Sequence, residues 1–198
     1  MNEINLQLFH WIVAGEDPGS WALLTGCVVA VWGGPLCAAV LCWAAFAKPS
    51  DRAYILTVAV AAIGVSVISH FIAAGIGFQR PFAQGLVPGY ILHSADGSMP
   101  STHASVMFFI TFAFMARASL RRTAWVFGLL AVATGWARIY VGVHFPADIA
   151  FGIALGAFLS CPFVITQRAR LRHVQVRGTA RHLMREGRVS NPLGRSAE

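Results

Sequence analysis

Apolar runs dominate the chain, and its polar residues gather in the short gaps between them. The runs at 21–47, 53–77, 102–116, 125–141 and 149–165 each approach the roughly 20 residues that carry an α-helix across about 30 Å of hydrocarbon. They predict an all-α, polytopic membrane bundle of about five transmembrane helices. Gly33, Gly34 and Pro35 interrupt the first run and predict a kink. The third run is short and is expected to extend to Leu120. Ahead of the first run, residues 4–13 (INLQLFHWIV) carry apolar positions at roughly helical spacing and two aromatic side chains. That segment predicts a helix lying along the membrane interface, since it is too short for a sixth span. The apolar pattern stops near residue 167, which divides the chain into a membrane-embedded domain over 1–167 and a basic tail over 168–198.

Composition supports lipid as the solvent. Of 198 residues, 57% are apolar and 12% charged, against about 25% charged in an ordinary soluble domain, and a water-soluble chain of this length could not bury so much apolar surface in one core. The net charge of +7 and isoelectric point near 10.1 would suit a nucleic-acid binder if the charge were spread over a wet surface. It is sorted by face instead. Lys48 and Arg52 follow the first run, Arg117, Arg121 and Arg122 the third, and eight arginines from Arg168 to Arg195 the fifth. Only Arg80 and Arg138 lie at the other face. The positive-inside rule then puts the C-terminal tail in the cytoplasm and the N-terminus outside, with the loops after the second and fourth runs, and nucleic acid is excluded as a partner. The tail is expected to be a solvated anchor beside anionic lipid headgroups. The start of the chain carries no Lys or Arg and does not resemble a cleavable signal peptide. Cys27, Cys37, Cys42 and Cys161 fall within the runs, where buried free thiols are expected, and their spacing matches no zinc signature.

That topology brings four gaps to one face. They hold Gln79, Arg80 and Pro81; then His93, Asp96, Ser98, Pro100, Ser101, Thr102 and His103; then Arg138; then His144, Pro146 and Asp148. Guanidinium forks bind phosphate oxygens bidentately, and a helix opening at Ser101 offers free amides and the positive end of its dipole to an anion. The group describes a phosphate site. Asp148 stands four residues after His144, about one helical turn, so its carboxylate can accept the Nδ1 proton and leave Nε2 as a nucleophile. His103, across the pocket, could protonate a leaving oxygen. Singly, each feature has a plainer explanation: Arg80 and Arg138 as interfacial anchors snorkelling to headgroups, Pro100–Ser101 as an ordinary helix start, His144 and Asp148 as a structural pair. A haem or metal centre built on His93, His103 and His144 would not call for two arginines, and no carboxylate cluster suits Mg²⁺, so neither metal nor cofactor is expected. His10, His70, His173 and His182 read as non-catalytic, with His70 expected to bond a neighbouring helix.

In these residues the chain resembles the type-2 phosphatidic acid phosphatase superfamily, whose signature reads K-x6-R-P, P-S-x-H and S-R-x5-H-x3-D. Arg80 and Pro81, then Pro100, Ser101, Thr102 and His103, then Arg138, His144 and Asp148 match it, while Ala73 and Ala137 replace its lysine and second serine. The stretches RPF, HSADGSMPSTH and GWARIYVGVHFPADI are most similar to bacitracin-resistance-type undecaprenyl-diphosphatases of bacteria. The resemblance implies that His144 attacks the terminal phosphorus to give a phosphohistidine and that Asp148 orients it. It implies His103 as acid and then base, with Arg80, Arg138, Ser101 and Thr102 holding phosphoryl oxygens. His93 and Asp96 would touch the second phosphate or the pocket rim. The implied substrate is a polyprenyl diphosphate whose tail lies between spans among membrane lipids of the bacterial inner membrane, with hydrolysis outside. Another lipid phosphatase or phosphotransferase, acting on phosphatidylglycerophosphate, phosphatidate or lipid A, would use the same residues. A non-catalytic carrier of anionic lipid is a third reading, motivated by Ala73 and Ala137.

Overall fold

A computed structural model describes residues 3–15, 18–95 and 97–189. Glu16, Asp17, Asp96 and the end of the tail lie outside the described residues. Among the described residues six helices follow in order: α1 (Glu3–Ile12), α2 (Ser20–Ala47), α3 (Arg52–Ile76), α4 (Thr102–Met115), α5 (Arg121–Tyr140) and α6 (Pro146–Val189), with single 3₁₀ turns at Pro49–Asp51, Phe82–Gln84 and Ala118–Leu120. There is no strand among the described residues. The chain divides into two compact units, Met1–Ser160 and Cys161–Glu198. The second consists of the remainder of α6 and the residues after it, and the helix shows no break at residue 167.

Ser20–Ala47, Pro49–Ile76 and Pro146–Arg170 are long and apolar enough to cross a membrane. Within the first unit, α4 packs against α3 and α5, and α2 packs against α5. The outer surfaces of these helices are apolar: Trp21, Trp32 and Trp43 on α2, Val60 and Phe71 on α3, Trp125 and Leu129 on α5 are all exposed. Such a surface is unsuited to water and suited to lipid. Helix α4 has 14 residues, about 21 Å at 1.5 Å per residue. It is also the most enclosed helix, with Met107, Phe109, Ile110 and Phe114 at 3% exposure or less.

Three expectations change. Helix α2 is a single element that carries Gly33, Gly34 and Pro35 in its interior. Helix α4 stops at Met115, short of Leu120, because Arg117 takes an extended conformation (φ −114°, ψ 118°) that aims its guanidinium at Asp51 on the turn before α3. Cys42 and Cys161 are exposed, although Cys37 is buried and all four thiols are free. Helix α1 forms as expected but does more than lie on an interface. Phe9 is fully buried with its ring 5.1 Å from that of Phe145, and Asn5 Oδ1 accepts the amide of Ala147 at 2.9 Å. Its helical spacing turns Phe9 inward and leaves Trp11 82% exposed, so one face of α1 covers the segment joining α5 to α6.

Candidate active site

The end of the bundle beneath α1 is where α3 and α5 finish and α4 and α6 begin. Helix α5 ends at Tyr140, and Gly142 follows at φ 73°, a left-handed conformation that glycine adopts without strain. That turn lets Val143 N and His144 N both donate to the carbonyl of Arg138, at 3.0 and 3.2 Å. His144 is thus tied to the last turn of α5, while Phe145 beside it is pinned by Phe9. Helix α6 opens at Pro146, a favoured first helical residue, and Asp148 sits in its first turn. The Asp148 carbonyl accepts Ser101 N at 3.0 Å, which joins the starts of α6 and α4.

His144 is 2% exposed and Asp148 fully buried. Asp148 Oδ2 lies 3.3 Å from His144 Nδ1 and accepts the Phe145 amide at 2.8 Å and the Ser98 hydroxyl. Arg80 Nη1 stands 3.2 Å from His144 Nε2 and 3.5 Å from Nδ1. An ionised carboxylate can only accept, so with Asp148 Oδ2 beside it Nδ1 carries the proton and Nε2 the lone pair. That tautomer makes Nε2 the nucleophilic atom. Burial first, then the charges of Arg138 and Arg80, hold the imidazole well below its ordinary pKa, so the ring is neutral at neutral pH.

Both arginines are buried, at 7% and 3% exposure, which does not fit snorkelling anchors. Arg80 donates to the carbonyls of Val143 and Gly97, each at 3.2 Å. Arg138 donates to the Ala30 carbonyl at 3.3 Å and to His93 Nε2 at 2.7 Å, and its Nε has no partner. His93 Nδ1 correspondingly donates to the Ser94 carbonyl at 3.1 Å. Among the described residues of the site, two guanidinium cations face one carboxylate. One further oxygen of that carboxylate, Asp148 Oδ1, and the Ser101 hydroxyl are also buried without partners. Ser101 caps α4 without a side-chain bond, and the first helical bond there is Ser105 N to the Ser101 carbonyl at 2.9 Å. The amides of Thr102–Ala104 therefore precede the helical ladder.

A cavity of about 420 Å³ joins these groups. Arg80, His93, His103, Arg138 and His144 line one end, and Leu41, Ile63, Met107 and Ile110 line it farther along α2, α3 and α4. Thr102 also lines it, with its hydroxyl oxygen accepting from Ser69 at 3.2 Å. The structure thus brings together Arg80, His93, Thr102, His103, Arg138 and His144 in one cavity, with Asp148 and Ser101 at its wall through hydrogen bonds. Asp96 lies outside the described residues. Among the described residues, no three His, Cys, Asp or Glu side chains gather as a metal-binding set. Ala137 is buried in α5 beside Ala30, Val141 and Val143, and Ala73 is buried in α3.

Two residues named in the sequence make contacts that it did not predict. Ser98 grips the carboxylate that orients His144, a role visible only once the loop before α4 is folded back over α6. His70 lines the cavity and bonds its own helix, Nδ1 to the Ser66 carbonyl at 2.9 Å, not a neighbouring one.

Comparison with known proteins finds relatives of one family. A family model described as the PAP2 superfamily matches residues 52–172. A provisionally named undecaprenyl-diphosphatase of Escherichia coli strain K12, YbjG, is 30% identical over 159 residues, 79% of each chain. The undecaprenyl-diphosphatase BcrC of Bacillus subtilis strain 168 is 31% identical over 121 residues, 60% of each chain. The crystal structure of Aquifex aeolicus LpxE superposes with a TM-score of 0.63 at 20% identity, covering 83% of this chain and 96% of that one, a likeness of fold.

Proposed function

The chain belongs to the PAP2 superfamily of lipid phosphatases, and from that premise we propose that it removes the terminal phosphate of undecaprenyl diphosphate at the outer face of the bacterial inner membrane. The observation that carries the phosphate chemistry is the buried charge imbalance: Arg80 and Arg138 against Asp148 alone, in a cavity whose far end is apolar. A phosphate dianion completes that balance, and a polyprenyl chain suits the apolar end.

In the proposed reaction, Arg80 turns from His144 Nε2 to a phosphoryl oxygen, joined by Arg138, the Ser101 hydroxyl and the first amides of α4. Nε2 attacks the terminal phosphorus, the bond to the bridging oxygen breaks, and His103 protonates the departing undecaprenyl phosphate. Asp148 stabilises the positive charge that develops on the ring. Water, deprotonated by His103, then cleaves the phosphohistidine and releases inorganic phosphate. Phosphoryl transfer needs positioning and charge stabilisation more than covalent assistance, and two guanidiniums with a helix N-terminus supply both. The two relatives bearing the undecaprenyl-diphosphatase name support the substrate. The charge asymmetry supports the orientation, with the tail cytoplasmic and the product returned as lipid carrier for cell-wall assembly.

Side-by-side rates in detergent on undecaprenyl diphosphate, phosphatidylglycerophosphate, phosphatidate and a lipid A phosphate test the reading. The diphosphate should give the highest kcat/KM; a higher value on one of the others transfers the function to that lipid, and no turnover on any favours a carrier. A C-terminal reporter should report cytoplasm and a cysteine at Gly89 should label from outside; the reverse pattern overturns the orientation.

A further inference from the structure

The cavity has a polar group between its two ends that the reaction above does not use. Ala62, Ile63, Ser66 and His70 of α3 line it, positions that recur every three or four residues and so form one stripe of the helix. Moving along that stripe toward the arginines, the next position is Ala73. It does not line the cavity, because the loop before α4 lies on it: a Cβ on Gly97 would collide with the Ala73 carbonyl oxygen. Glycine is therefore required at 97 for the loop to close over α3, and its own carbonyl meets Arg80. His70 is consequently the last side chain of α3 to reach the cavity. It stands about one helical turn deeper than Ala73, the position where the family signature has its lysine.

The placement of His70 is unusual for its chemistry. It lies in a segment long and apolar enough to span a membrane, six residues before the end of α3, where an ionisable side chain is costly unless it meets a partner or a polar cavity. Its bond to the Ser66 carbonyl occupies Nδ1 and leaves Nε2 for a ligand. On one side are the arginines and histidines that would hold the phosphoryl group being transferred; on the other are Leu41, Ile63, Met107 and Ile110.

We propose that His70 forms a subsite for the second, lipid-linked phosphate of a diphosphate substrate and so selects diphosphate over monophosphate lipids. The proposal rests on the phosphatase reading above. With the terminal phosphorus at His144, the bridging oxygen points toward the apolar end, and the next phosphate falls in the stretch of cavity that His70 lines. Nε2 hydrogen-bonds the phosphate there, one proton lying between the ring nitrogen and a non-bridging oxygen, while Nδ1–H stays on the Ser66 carbonyl. A monophosphate ester places a carbon chain at the same point and gains nothing from the ring.

Farnesyl diphosphate and farnesyl monophosphate differ by that one phosphate and serve as probes with the purified full-length protein. The ratio of kcat/KM on the diphosphate to that on the monophosphate should fall about tenfold in His70→Ala, the size of one hydrogen bond to a charged group, mainly through KM. His70→Lys should restore most of the ratio. An unchanged ratio in His70→Ala, or an equal loss on both substrates that His70→Lys does not repair, overturns the subsite while leaving the phosphatase reading intact. Wild-type protein that cleaves the monophosphate and not the diphosphate overturns both.

Discussion

At the end of the bundle where α3 begins and α4 finishes, Asp51 is 3% exposed and Arg117 Nε meets its Oδ1 at 2.5 Å, with the guanidinium carbon 4.8 Å from the centre of the Tyr54 ring and the Tyr54 hydroxyl donating to the Ala113 carbonyl. At the opposite end Arg80, Arg138 and Asp148 are all buried, more deeply than Arg117, but cations exceed anions and polar atoms of Ser101, Arg138 and Asp148 lack partners. Both clusters bury charge, so burial of charge by itself does not mark a site. A balanced pair joins helices; the unbalanced cluster is held in place by backbone carbonyls and, in the proposed function, receives an anion. Buried ion pairs contribute little net stability, whereas unpaired buried charge is costly, and a fold that keeps such a cluster does so beside a cavity that admits the missing charge.

Substitutions at the two ends should separate catalysis from stability. His144→Ala should lower phosphate release by about a thousandfold or more with the helical content unchanged; release within tenfold of wild type would return the pair His144–Asp148 to a structural role. Arg138→Lys keeps a charge but loses the fork, and should reduce kcat by about a hundredfold without lowering the thermal midpoint. Arg117→Met should do the reverse. It leaves Asp51 buried without its cation and should cost about 1–2 kcal/mol of stability, between the values for a surface pair and a fully buried one because Arg117 is itself 28% exposed, with kcat/KM of the folded protein unchanged. A loss of activity in Arg117→Met larger than its loss of folded protein would mean that the two ends are coupled.

The smallest effect is on pH dependence. His144 is held neutral in the folded protein by burial and the two arginines, while in the unfolded chain it titrates near 6.5. Below that pH the unfolded state binds a proton that the folded state does not, so stability falls with acidity by up to about 1.4 kcal/mol per pH unit and levels off above about 6.5. Thermal midpoints of the phosphate-free protein between pH 5 and 8 should show that slope, and His144→Ala should reduce it. An identical slope in the variant would assign the titration to another group.

Much of this end of the molecule was legible because its chemistry sits at fixed local spacing. Arg138, His144 and Asp148 fall within one stretch of chain, and the five-residue gap between the first two is a helix end plus the Gly142 turn. The spans were legible from the length of apolar runs. What was not legible depends on contacts between elements far apart in sequence. Phe9 and Trp11 are both aromatic and apolar, and only the packing against Phe145 shows that one is buried and the other exposed. Ser98 became important only through Asp148, 50 residues away. The early end of α4 follows from the Arg117–Asp51 pair, which no run of apolar residues encodes. His70 looked like a helix-packing histidine because its relation to the cavity depends on the loop that covers Ala73.

The most direct test is to mix the purified protein with undecaprenyl diphosphate carrying ³²P in its terminal phosphate, quench within a single turnover and map the label. An acid-labile, alkali-stable phosphoryl group is expected on the peptide containing His144, present in wild type and absent in His144→Ala. Label on another residue, or rapid phosphate release by His144→Ala, would contradict it.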